Sequence, residues 1–123
     1  MGRILTERLV LIVEDELLIA MDIAQTFERA GARVTTTRSL REALQLVESD
    51  GLAAAVLDHA LGDGDSSQLC TRLKERDIPF VLYSGHSVIE GACHDAPFVA
   101  KPSKPEMLVR TVEELLMRRS NPT

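Results

Sequence analysis

Four apolar runs in this chain each stop on polar residues that could do chemistry. Val10 to Val13 runs into Glu14 and Asp15, Ala54 to Leu57 into Asp58, Phe80 to Tyr83 into Ser84, and Phe98 to Ala100 into Lys101 and Pro102. Three carboxylates, a hydroxyl and an ammonium suit a divalent cation and a phosphoryl group. Crowded carboxylates resist ionisation unless a cation neutralises them. Oxygen-only ligands with vacant positions favour Mg2+, which keeps several waters and takes one or two carboxylates plus phosphate oxygens. Asp58, alone at the end of its run, is the natural nucleophile for making an acyl phosphate. Phosphoryl transfer asks a protein mainly for positioning and charge neutralisation, which Mg2+ and Lys101 would supply while Ser84 donates to a phosphoryl oxygen. A cis bond before Pro102 would aim the lysine inward. Taken singly, each group has a plainer explanation: acids at a helix start, a turn aspartate or serine, a strand-end lysine. Their joint appearance at the ends of four runs, in this order, sets them apart.

Something must bring those ends together. Continuous β-rich apolar runs read as buried parallel strands, and in open α/β sheets functional groups lie just beyond the carboxyl ends of the strands. Amphipathic helices alternate with the runs. Ala20, Ile23, Ala24 and Phe27 recur at helical spacing, with Gly31 as the stop. Val34 among threonines reads as a second strand. Ser39 to Glu42 forms a capping box ahead of Ala43, Leu44 and Val47, and Ser103 to Glu106 repeats it ahead of Leu108, Val112 and Leu115. Asp65 or Ser66 caps a third helix through Leu69 and Leu73. A short fourth helix is expected between His86 and Pro97, weakened by Gly91, which costs about 1 kcal/mol relative to Ala. This alternation predicts an α/β fold with a doubly wound parallel five-stranded sheet covered on both faces. The 123 residues suit a single domain, with its core from about residue 8 to about residue 118.

Composition narrows the function. A net charge of −5 repels polyanions and argues against a direct nucleic-acid or membrane-surface binder. No run approaches the ~20 apolar residues of a membrane span, and the N-terminus lacks a signal peptide. A cytoplasmic protein is expected. Cys70 and Cys93 have no CxxC or metal spacing, so two reduced thiols are expected. The chain starts at Met1 and stops just past its last helix, which favours a stand-alone module.

On the acidic pair Glu14-Asp15, Asp58, Ser84 and Lys101-Pro102, the sequence resembles the receiver domain of bacterial two-component response regulators, from about Arg8 to Leu116. The resemblance implies the flavodoxin-like (βα)5 fold with strand order 2-1-3-4-5. It implies Mg2+ held by Asp15, Asp58 and the backbone carbonyl of Ala60, with Glu14 acting through water. Asp58 would be phosphorylated by a histidine kinase or a histidine phosphotransfer protein, and a downstream protein partner would read the result. Such a receiver is a monomer or weak dimer, and not an enzyme beyond its own phosphotransfer and slow autodephosphorylation. Ser84 and Phe98 would be the switch pair; Phe98 lacks the hydroxyl a tyrosine carries, so an inward ring is expected even without phosphate. Gly85 would leave space for the donor histidine, His86 could hydrogen-bond the phosphoryl group, and His59 would point away. Ala60 cannot orient an attacking water, which implies slow loss of phosphate. Only 13 residues separate Ser84 from Phe98, so an atypical output face is expected. Two alternatives compete: a Mg2+-dependent aspartyl-phosphate phosphohydrolase, disfavoured because Ala60 stands where a general acid is needed, and a phosphorylation-independent interaction module, disfavoured because every acid and the lysine are present.

Overall fold

The apolar runs fold as the parallel strands that their unbroken β-rich character implies. The computed structural model describes residues 4–58, 60–61, 64–85, 93 and 95–120. In chain order its elements are β1 (Leu9–Val13), α1 (Leu17–Arg29), β2 (Arg33–Thr37), α2 (Leu40–Leu46), β3 (Leu52–Asp58), β4 (Ala60–Leu61), β5 (Gly64–Asp65), α3 (Ser67–Glu75), β6 (Phe80–Ser84), β7 (Phe98–Ala100) and α4 (Pro105–Ser120). Five strands form one sheet in the order β2-β1-β3-β6-β7, every neighbouring pair parallel. This is the 2-1-3-4-5 arrangement expected from the sequence. The two-residue strands β4 and β5 pair separately, antiparallel.

Successive side chains of a strand point to opposite faces, so a run that is apolar at every position must be covered on both sides. Val10, Ile12, Ala54, Val56, Val81 and Tyr83 pack against Ile23 and Phe27 of α1 and Leu108 and Val112 of α4. Leu11, Val13, Ala55, Leu57, Phe80 and Leu82 pack on the other face against Ala43 of α2 and Leu69 and Leu73 of α3. In β2, at the sheet edge, only Thr37 is buried, which is why that strand tolerates three threonines.

The helix boundaries follow local signals in part. Gly31 has φ +100°, and a Cβ there would sit 3.3 Å from the Thr6 Cα, so glycine stops α1 as expected. The Glu42 N–H donates to Ser39 Oγ at 3.1 Å and opens α2. Ser66 does stand at the start of α3, but it makes no cap hydrogen bond there. α4 starts at Pro105, after Ser103 and Lys104. No helix among the described residues is long and apolar enough to cross a membrane.

The cysteines correct the sequence reading. Cys70 and Cys93 are not two reduced thiols: they form a disulfide with Cα atoms 5.5 Å apart, and both are buried. No spacing rule links residues 23 apart; the packing of α3 against the stretch before β7 does. Most of the short helix expected between His86 and Pro97 lies outside the described residues.

Candidate functional site

Strand register aligns the polar run-ends. Val13 pairs with Leu57, so Glu14 follows directly beside Asp58. Asp58 pairs with Tyr83, and Ser84 with Ala100, which places Lys101 one step beyond. Carboxylate oxygens of Glu14, Asp15 and Asp58 all lie within 4.8 Å of one another. The Lys101 ammonium donates to Glu14 Oε2 at 3.2 Å and to Asp58 Oδ2 at 3.3 Å. Glu14 is 2% exposed and Asp58 7%; Asp15 is half-buried.

Burial sets the electrostatics. Loss of water pushes the Glu14 carboxyl up to about 7; the Glu16 amide, which donates to Oε1, pulls it down, the Asp58 carboxylate pushes it further up, and Lys101 opposes that rise. Burial alone would lower the Lys101 ammonium, but the carboxylates of Asp58 and Glu14 outweigh it and hold its pKa above the ordinary lysine value. One ammonium therefore serves two buried carboxylates, with a third acid beside them. Hard oxygen donors this close, one of them resisting ionisation, fit a divalent cation of the Mg2+ class.

The remaining candidates fall around this centre. Ser84 is buried at the end of β6, and its carbonyl accepts from the Lys101 N–H at 2.9 Å. Gly85 is exposed, and a Cβ there would meet nothing within 4 Å among the described residues, so open space adjoins Ser84 there. The Lys101–Pro102 bond is cis. Ala60 opens β4 just past Asp58. His59 and His86 lie outside the described residues. Phe98 departs from expectation: the residue is 38% exposed rather than turned inward. β7 is a three-residue edge strand that buries only Val99, so alternation turns Phe98 and Ala100 outward.

Two supporting residues escaped the sequence reading. The Tyr83 ring lies under Lys101, with Nζ 5.2 Å from its centroid. Its hydroxyl donates to the Ser103 carbonyl at 3.0 Å and accepts from the Ser103 N–H at 3.3 Å. Tyr83 thus grips the loop that carries Lys101 from below and from beyond. Arg38 Nε donates to the Asp15 carbonyl at 3.2 Å, and the Glu14 N–H donates to Thr37 at 3.1 Å, so the end of β2 steadies the acidic pair. Tyr83 reads locally as one more apolar strand residue and Arg38 as a surface cation, so neither carried a signal.

Residues 10–113 match the family model described as the response regulator receiver domain. Response regulator SaeR of Staphylococcus aureus (strain USA300) is 36% identical over 116 residues, covering 88% of this chain and 50% of SaeR. The chain thus spans about half the length of the curated relatives it matches. Among solved structures, a response regulator receiver protein from Sinorhizobium medicae WSM419 has a TM-score of 0.83 at 27% identity, covering 92% of this chain and 97% of its own. The Francisella response regulator 1452 receiver domain has a TM-score of 0.78 at 25% identity, covering 94% and 100%. A CheY-like receiver domain protein from Methanospirillum hungatei JF-1, at 24% identity and a TM-score of 0.83 over 94% and 98% of the two chains, shares the fold.

Proposed function

The chain belongs to the response regulator receiver family, and from that premise we propose that Asp58 is its phosphoacceptor, charged by a histidine kinase or a histidine phosphotransfer protein. One observation carries this most: Asp58 ends the central strand β3, nearly buried, and shares the Lys101 ammonium with Glu14. The Asp58 carboxylate attacks phosphorus, and the Asp58 O–P bond forms as the P–N bond to the donor imidazole breaks. Asp15, Asp58 and the Ala60 carbonyl would hold Mg2+, with Glu14 acting through water. When bound, that ion supplies charge neutralisation for the attacking and transferred oxygens. Lys101 moves from the carboxylate pair onto the phosphoryl oxygens, and Ser84 donates to another of them. The open space beside Gly85 admits the donor ring. Loss of the Lys101 contact to Asp58, together with the new Ser84 bond, is the change transmitted to Phe98 and thence to a downstream protein in the cytoplasm. Ala60 offers no group to orient water, so the phosphoryl group is lost slowly and there is no multiple turnover.

The test is direct. Incubated with Mg2+ and acetyl phosphate, the wild-type chain gains one acid-labile phosphate by intact mass, and Asp58→Ala gains none. A folded wild type that gains none sinks the assignment. Continuous release of phosphate from small phosphomonoesters would favour a phosphohydrolase instead.

A further inference from the structure

Three side chains, one at the cap of α3 and two along the same stripe within it, grip the stretch that leads into β7. Ser66, Cys70 and Lys74 recur every fourth residue, which stacks them on one face of a helix. Ser66 Oγ lies 3.7 Å from Cys93 Sγ, Cys70 is bonded to Cys93, and Lys74 Nζ lies 2.6 Å from Asp95 Oδ1. The gripped stretch is itself hydrogen-bonded onward: the Ala96 N–H donates to the Cys93 carbonyl at 3.1 Å, and the Leu82 N–H to the Pro97 carbonyl at 2.9 Å. The chain between Ser84 and Phe98 is therefore fastened to α3 just ahead of Phe98. The three ties differ in kind. The Lys74–Asp95 pair is exposed to water on both sides, where ion pairs hold little, and a hydroxyl–sulfur contact is weak. Only the disulfide holds firmly, and only the disulfide can be undone chemically.

We propose that Cys70 and Cys93 form a thiol–disulfide modification site whose oxidation state sets how firmly the described residues just ahead of β7 are held, and so how long the phosphoryl group at Asp58 persists. The second half of this statement rests on the phosphoacceptor reading above. In the reducing compartment where a histidine phosphodonor works, disulfides are usually transient or sensing rather than permanent. Reduction by a dithiol is thiol–disulfide exchange: its thiolate attacks one sulfur, the Cys70–Cys93 bond breaks as a mixed disulfide forms, and the second thiol of the reductant displaces the protein. Two electrons and two protons end on the cysteines, and the reductant leaves as its own disulfide. Both sulfurs are buried, so exchange proceeds through local opening of the stretch around Cys93. Both forms are compatible with the fold. Cys70 and Cys93 lie in the cluster with Leu69, Leu73 and Leu82, and free thiols pack there as small hydrophobes.

The experiment uses the full chain equilibrated either with oxidised glutathione or with dithiothreitol, then trapped with N-ethylmaleimide. Intact mass is expected to show no alkylated thiol in the first form and two in the second; two alkylated thiols in both would overturn the proposal. Amide exchange at Ala96 is expected to be about tenfold faster or more in the reduced form, and Cys70→Ala/Cys93→Ala is expected to match the reduced form in either buffer. Equal exchange in the two wild-type forms would overturn the proposal without recourse to the variant. With Mg2+ and acetyl phosphate, the half-life of phosphate on wild type is expected to differ about fivefold or more between the forms, and to be the same in both buffers for the double variant. Phosphorylation of both wild-type forms with equal half-lives would overturn the coupling. If neither form gains phosphate, the phosphoacceptor reading fails, and the exchange at Ala96 alone decides the clamp.

Discussion

The two halves of the sheet are built differently. On the acidic side, β1 and β3 are five and seven residues long, paired along both edges and buried on both faces. On the Ser84–Phe98 side, β7 is a three-residue edge strand with two exposed side chains, paired along one edge with β6, and its flanks are further held by separate links: the Tyr83 hydroxyl to Ser103, the Cys70–Cys93 bond and the Lys74–Asp95 pair. The acids must stay close against their mutual repulsion, and a rigid, doubly covered core opposes that repulsion. Under the proposed function Ser84 and Phe98 must rearrange, and a short edge strand with individually linked flanks can do so without loss of the core.

That contrast can be broken experimentally. Leu57→Ala, at a fully buried position of β3, is expected to cost about 2–5 kcal/mol in urea denaturation, whereas Val99→Ala in β7 costs roughly 1–2 kcal/mol; equal losses would erase the distinction. Reduction of the disulfide, whose cysteines are 23 residues apart, is expected to remove roughly 3 kcal/mol from the same denaturation curve. In native conditions amide exchange should then rise at Ala96 through local opening, while at Ile12 and Val56 it should rise only by as much as the global stability falls.

Glu14 sharpens the acidic side. Its carboxyl has an ordinary value of 4.5 but is held up to about 7 in the fold. Between those values the unfolded chain has lost a proton that the folded chain keeps, so stability falls as pH rises. The contribution of the protonated form is complete below pH 4.5 and is gone once pH passes about 7. Thermal midpoints of the wild type without metal should therefore decline across this window more steeply than those of Glu14→Gln, and saturating Mg2+ should flatten the difference. Parallel curves would show that Glu14 is not strained by burial. The smallest effect belongs to Tyr83→Phe, which keeps the ring under Lys101 and loses the two bonds to Ser103. It is expected to cost about 1 kcal/mol by thermal denaturation and to slow phosphorylation by acetyl phosphate.

Much of this is legible in the sequence. The unbroken apolar runs gave the strands, their alternation with helical stripes gave the parallel sheet, and the polar residues at the run-ends gave Glu14, Asp15, Asp58 and Lys101, which the fold brings together, with Ser84 at the neighbouring strand end. Ser39 capped its helix as its spacing predicted, while Ser66 stood at a helix start for another reason, its hydroxyl turned to the Cys93 sulfur. The inward ring expected for Phe98 rested on its missing hydroxyl, a property of the side chain, whereas where it points follows from the alternation of β7, which buries only Val99.

Sequence alone determined which segments are strands, which of them are buried and which chemical groups lie at their ends, because periodicity and apolar runs are properties of neighbouring residues along one backbone. Tertiary structure alone decided that Cys70 meets Cys93, that Tyr83 holds Ser103, that Arg38 holds Asp15 and that Phe98 faces outward. The first three depend on strand register and on the rotation of α3 about its axis, and each joins residues too far apart in the chain for any local pattern to connect them; the last depends on which face of β7 the core covers.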